Sequence, residues 1–140
     1  MERTCAILKP DGVKKRVMGQ IIERIERDGF RILAMKMIRL TPAEARAFYH
    51  VHRDKSFFAD LIDFMTEGPC VVAVLEKPNA VLDYRALMGA TDPANAAPGT
   101  VRNEYAENVS RNIVHGSDSP ENAQREIAFF FSESELLSGA

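Results

Sequence analysis

Residues 4–12 read TCAILKPDG. Thr4 to Lys9 form a short apolar run that predicts a buried strand, and Lys9-Pro10-Asp11-Gly12 stops it with a turn signal. Neither a GxGxxG fingerprint nor a GxxxxGKS/T loop follows, so no glycine-rich cradle for phosphates lies after this strand. That argues against a dinucleotide-binding or P-loop architecture in a chain that otherwise alternates strands with helices.

The neighbouring segments fill in the order. MGQIIERIERDG, residues 18–29, places Ile21, Ile22 and Ile25 on one face with charges opposite, and predicts a helix closed by Gly29. FRILAMKMIRL, residues 30–40, predicts a second strand in which Ile32, Ala34, Lys36 and Ile38 oppose Leu33, Met35 and Met37. Thr41-Pro42-Ala43-Glu44 fits a capping box with proline at the first helical position, and the short helix runs through Phe48 and Tyr49. FFADLIDFMTEG, residues 57–68, repeats a helical spacing and ends at Gly68-Pro69. CVVAVLE, residues 70–76, is a continuous β-branched strand. NAVLDYRALMG, residues 79–89, predicts a helix opened by Asn79 and closed by Gly89. Residues 91–100 have loop composition, and a helical piece follows around Val101 to Ala106. NIVH at 112–115 reads as a last strand, and Ser119-Pro120-Glu121 starts a last helix. This order predicts an α+β fold, a ferredoxin-like sandwich with one four-stranded antiparallel sheet covered by helices. The 140 residues are expected to form a single domain, 1–140, since no repeat or linker interrupts them.

An apolar fraction of 46% and a charged fraction of 27% are those of a soluble globular protein. The net charge of −2 gives no general attraction to nucleic acid or acidic lipid, so an anion site has to be built from a few placed cations. No run approaches the ~20 apolar residues of a membrane span, and the first residues lack the apolar core of a signal peptide. No membrane association is therefore expected, and the location is expected to be cytoplasmic. Cys5 and Cys70 are expected to be reduced, buried thiols.

His115 is the first candidate for chemistry. Near neutral pH an imidazole is both nucleophile and leaving group, as a carrier of phosphoryl groups must be. It needs one ring nitrogen free and the other held by an acceptor. Glu126, two turns into the next helix, is a candidate holder, Ser117 a candidate link between them, and Gly116 allows close approach. A histidine packed at a strand end with one satisfied hydrogen bond is the competing reading, and residue type alone favours it; the dense neighbourhood of Asn112, His115, Gly116, Ser117 and Asp118 points to function. Lys9, Arg85 and Arg102 flank turns that can bring them together, and arginine's fork suits phosphate oxygens. Thr91 adds a hydroxyl. Of Phe57 and Phe58, one belongs to the core and the other can offer a face to a base. His50 and His52 would share one side if they lay on a strand, but no third ligand of matching spacing accompanies them.

Taken together these residues resemble the nucleoside diphosphate kinase family. The resemblance runs from RTCAILKPDGV at residue 3 to EIAFFF at residue 131, with NIVHGSD as its most specific motif and GATDPANAAPGTVR and FMTEGPCVVAVLE as independent support. It implies a ferredoxin-like fold and an enzyme that moves the γ-phosphoryl of a nucleoside triphosphate to a nucleoside diphosphate. The implied route is ping-pong through a phosphohistidine at His115, with Glu126 and Ser117 orienting the ring. Lys9, Tyr49, His52, Arg85, Thr91, Arg102 and Asn112 would line the phosphates and sugar, and Phe57 would stack on the base beside Val109. A Mg2+ ion would bridge the phosphates, held by them rather than by protein side chains. The family assembles as tetramers or hexamers built from dimers. Base specificity is expected to be broad.

Ser56 stands where the family often has proline, and Asp92 replaces a common asparagine; the first bears on base stacking, the second on loop contacts. The tail SESELLSGA, residues 132–140, is shorter than in many eukaryotic members. A ferredoxin-like RNA-binding module is the alternative of another class. It would stack bases on aromatic residues of its central strands, and TCAILK and CVVAVLE contain none, so no specific nucleic-acid partner is expected. Arg102→Ala is expected to lower kcat/KM with the fold intact.

Overall fold

The continuous apolar run at residues 70–76 becomes β3, Cys70–Lys77, buried along nearly its whole length. The structure, a computed structural model, describes residues 1–137. β1 (Glu2–Leu8) pairs antiparallel with β3 on one side and with β4 (Val114–Gly116) on the other. β2 (Arg31–Ile38) pairs antiparallel with β3, giving one four-stranded sheet in the order β2-β3-β1-β4. β1 and β3 are the two inner strands, and both of their faces are covered. This explains why they read as unbroken apolar runs rather than alternating ones, and it leaves no open face on the inner strands for stacking bases.

Each face has its own core. Cys5, Ile7, Cys70, Val72 and Val74 point to the face covered by α3 (Pro42–Phe48), α4 (Phe58–Met65) and α7 (Pro120–Phe130). Ala6, Leu8, Val71, Ala73 and Leu75 point to the face covered by α2 (Met18–Arg27) and α5 (Ala80–Met88). Ile21 and Ile25 of α2 are buried, as the helical spacing predicts. The capping box at Thr41 forms on both sides, and Ser119 caps α7 by accepting the Asn122 N–H.

Four local expectations need correction. The Lys9-Pro10 turn continues into a short helix, α1 (Pro10–Lys14), because proline's fixed φ and missing N–H suit a first helical turn. Asn79 does not cap α5 with its side chain. It takes a left-handed φ of 63°, and Glu2 of β1 accepts the Val81 N–H instead, at 2.8 Å. In β2 a register shift between Ile32 and Ala34 turns Leu33 into the core beside Ala34 and leaves Met35 and Met37 exposed. A bulge of this kind places successive residues on one face and breaks simple alternation. The freed Leu33 carbonyl accepts the Leu137 N–H of the tail at 3.0 Å; the tail's last residues, 138–140, lie outside the described residues. Finally, the last strand covers Val114–Gly116 and not residues 112–115, since Asn112 and Ile113 turn before it; His50–His52, which would share a side only on a strand, form a 3-10 turn.

Candidate active site

The sheet brings the ends of the chain's key segments to one place. His115 pairs with Ile7 across the β1–β4 ladder, and Lys9 directly follows β1. Beside them α5 is capped by Gly89, and the segment 90–100, with a 3-10 turn at Pro93–Asn95, leads into α6 (Val101–Tyr105). Between these elements opens a cleft of about 550 Å3, lined by Lys9, Arg85, Thr91, Arg102 and His115 among others. Three cations and one imidazole therefore meet in a cleft whose lining carries no carboxylate among the described residues.

The imidazole is held from behind. Its Nε2 lies 2.9 Å from Oε1 of Glu126 on α7. The same oxygen accepts the hydroxyl of Ser117 at 2.8 Å, and Ser117 Oγ accepts the Cys5 N–H of β1 at 3.1 Å. Ser117 is thus a second donor to Glu126 and not a link between Glu126 and the ring. Ser117 and Glu126 are buried, and the ring packs edge-on against Phe48 and Tyr49 at 5.6 and 6.2 Å. No hydrogen bond reaches Nδ1 among the described residues, so that nitrogen is the one available to the cleft.

The cations differ in how they are held. Lys9 is buried and donates from Nζ to Oδ1 of Asn112 at 2.8 Å. Burial, reinforced by the charge of Arg102 and opposed by that of Asp11, pushes its ammonium down to about 8. Arg102 is buried as well and donates to three backbone carbonyls: Nε to Asn112 at 3.2 Å, Nη1 to Gly89 at 3.0 Å and Nη2 to Val114 at 2.8 Å. A guanidinium has five N–H donors, so two remain for an anion. Burial lowers its pKa as well. Arg85 and Thr91 are exposed at the cleft wall.

Tyr49, His52, Phe57 and Val109 do not line the cleft. Three of them continue from it as a run of rings: His115 to Tyr49, Tyr49 to His52 at 6.5 Å, and His52 to Phe57 at 5.7 Å. Phe57 and Val109 are exposed, at 48% and 56%. Asn112 contributes from behind Lys9 and also donates to the Val109 carbonyl at 3.0 Å. The Tyr49 hydroxyl is buried with no hydrogen-bond partner among the described residues. The sequence marks Gly89 and Phe48 only as parts of helices and Asp11 only as a turn former, yet the Gly89 carbonyl receives Arg102 and Phe48 packs on the histidine ring. The Lys-Pro-Asp spacing was the available signal for Asp11; Phe48 had none beyond its apolar position.

The family model for nucleoside diphosphate kinase matches residues 2–136. A nucleoside diphosphate kinase of Nitratiruptor sp. is 58% identical over 137 residues, covering 98% of this chain and 100% of that one. That of Salinibacter ruber is 57% identical over 136 residues, covering 97% and 96%. Among solved structures, the Aquifex aeolicus nucleoside diphosphate kinase superposes with a TM-score of 0.95 at 45% identity, covering 96% of this chain and 98% of that one. A halophilic nucleoside diphosphate kinase from Halobacterium salinarum, in complex with CDP, gives 0.95 at 40% identity, covering 99% and 93%. The chain belongs to the nucleoside diphosphate kinase family. It is accordingly a kinase that transfers phosphoryl groups between nucleotides, and the family's general route runs through a phosphohistidine.

Proposed function

We propose that His115 is the phosphohistidine of this chain and that donor and acceptor nucleotides use the one cleft in turn. The observation that carries this is the fixed imidazole: Nε2 is bound to Glu126, Nδ1 has no hydrogen bond among the described residues, and His115 lines the cation-lined cleft. With Glu126 ionised, Nε2 carries the proton and Nδ1 the lone pair. Nδ1 attacks the γ-phosphorus, the bond to the β–γ bridging oxygen breaks, and the nucleoside diphosphate leaves. A terminal oxygen of the next diphosphate then attacks the phosphohistidine and restores the ring. Glu126 stabilises the positive charge that the ring gains while phosphorylated.

Lys9, Arg85 and Arg102 neutralise phosphate oxygens, which is most of what phosphoryl transfer asks of a protein. Thr91 and Asn112 position the phosphates and sugar. Tyr49 and His52 lead from His115 to Phe57, which stacks on the base with Val109 beside it. That ring is exposed and its surroundings offer few edge-reading groups, so every base is accepted. Mg2+ would be held by the nucleotide's phosphates and would supply charge neutralisation there beside Lys9, Arg85 and Arg102. A cleft lining without carboxylates among the described residues fits an ion carried by the phosphates and not by side chains. We also infer a homo-oligomer, a tetramer or hexamer built from dimers, to which the exposed Met35 and Met37 on edge strand β2 lend support. Two free, buried cysteines suit a reducing, cytoplasmic location.

The test is incubation with γ-labelled ATP and Mg2+ without acceptor. An acid-labile, base-stable phosphoprotein is expected, discharged by any nucleoside diphosphate. Undiminished label in His115→Gln would remove His115 as the nucleophile.

A further inference from the structure

Ile113, between Asn112 and His115, has a φ of +72°. A β-branched residue rarely adopts that conformation. The Val114 N–H donates to the Asn112 carbonyl at 2.8 Å, two residues back, which makes Ile113 the centre of a γ-turn of the rare, strained hand. Strain of this kind persists only where the surroundings over-determine it. Here both polar groups of Ile113 are gripped by the segment after β1. Its N–H donates to Oδ2 of Asp11 at 3.0 Å, and its carbonyl accepts the Lys9 N–H at 2.8 Å. The Ile113 side chain is fully buried and lies over Gly12, where a Cβ would come within 3.2 Å of its Cγ2.

The turn has a purpose that an extended strand would not serve. Residues three apart on a strand face opposite sides. Asn112 and His115 are three apart, yet Asn112 bonds Lys9 while His115 lines the cleft that Lys9 also lines. We propose that Asp11 is a positioning residue for phosphoryl transfer: its carboxylate holds the Ile113 peptide in the γ-turn, and the turn sets Asn112, Lys9 and His115 against one another. The proposal rests on His115 as the nucleophile. Asp11 is 5% exposed and does not line the cleft, so its influence passes through Ile113 and Lys9. Its other oxygen, Oδ1, is buried without a hydrogen-bond partner among the described residues.

Three variants separate acceptor geometry from charge. Asp11→Asn keeps an oxygen in place of Oδ2 and loses the charge; Asp11→Glu keeps the charge and displaces the oxygen; Asp11→Ala loses both. The rate of His115 phosphorylation is measured at saturating ATP in single turnover, per folded site, with folding read by circular dichroism below each melting temperature. Asp11→Ala and Asp11→Glu should be slower by about 10–100-fold, the range for losing an outer-shell group behind a metal-ligating histidine, and Asp11→Asn should recover most of the rate. A purely structural role would lower the melting temperature and leave the rate per folded site unchanged, which would overturn the proposal. So would a fast Asp11→Glu beside a slow Asp11→Asn, since charge beside Lys9 would then be what matters. If Asp11→Ala does not fold, the other two decide the question alone. Label in the unsubstituted protein that survives His115→Gln would overturn the functional reading instead, and that control is read independently.

Discussion

Oε1 of Glu126 lies 2.9 Å from Nε2 of His115 and at the same time accepts the Ser117 hydroxyl at 2.8 Å. One oxygen thus fixes both the ring's orientation and its tautomer. Glu126→Ala should slow phosphoenzyme formation by about 10–100-fold, the range for losing the orienting partner of a metal-ligating histidine. Ser117→Ala should cost less, because the Glu126–His115 bond survives it. Rapid-quench measurement of the labelled intermediate checks both, and an unchanged rate in Glu126→Ala would detach that residue from the chemistry.

Lys9 carries a pH dependence. Burial first, then the charge of Arg102, lowers its ammonium from the ordinary lysine range to about 8. Its positive charge is present below that pH and lost as pH rises through it. Since kcat/KM reports the free enzyme, kcat/KM should fall above pH about 8, while kcat at saturation should hold to higher pH because bound phosphates stabilise the protonated form. A kcat/KM profile flat to the ordinary lysine value near ~10.4 would exclude Lys9.

Arg102 is as much a fastener as a cation. Three carbonyls depend on it, and lysine can satisfy at most one of them in the same geometry. The Asn112 carbonyl keeps the Val114 N–H, so Arg102→Lys should leave one carbonyl, that of Gly89 or Val114, without its donor and lower stability by roughly 1–3 kcal/mol. Urea unfolding measures this. The expectation that Arg102→Ala spares the fold is accordingly revised: kinetics on that variant have to be read beside its stability.

Gly116 follows the histidine and has no room for a side chain. A Cβ there would stand 2.6 Å from Cδ2 of Tyr84 and 2.8 Å from Cε of Met88. Tyr84 is fully buried and cannot swing away. Gly116→Ala should destabilise by about 1–3 kcal/mol, the usual range for overpacking, and slow phosphorylation by shifting β4. Thermal unfolding with a wild-type midpoint would contradict this.

Phe57 predicts the opposite pattern. Its ring is nearly half exposed, so Phe57→Ala should leave stability within about 0.5 kcal/mol. Stacking on a π-face is indifferent to the base, so KM should rise for all nucleoside diphosphates alike. A loss confined to purines would show edge recognition instead.

The fold was legible because its signals are local. The capping box at Thr41, the isoleucines of α2 and the unbroken run of β3 each specify their element without help from distant residues. Of the site, the residue types that matter for phosphate were visible, and the cleft does collect Lys9, Arg85, Thr91, Arg102 and His115. What stayed hidden was long-range. Nothing near Asn79 announces that Glu2, 79 positions away from Val81, will cap its helix. Nothing near Arg102 says that its donors go to the carbonyls of residues 89, 112 and 114. The β2 bulge was missed because an apolar leucine suits either side of an alternating pattern until the partner strand fixes the register.

The three bonds of Arg102 bear finally on how a ligand arrives. They tie the end of α5, the approach to β4 and β4 itself into one block, so an incoming molecule meets a mould already cast. Little ordering entropy is then left to be lost at each visit. A catalyst visited alternately by donor and acceptor profits twice per cycle from such readiness, and its turnover is left to diffusion, release and bond exchange instead of to reassembly of its own walls.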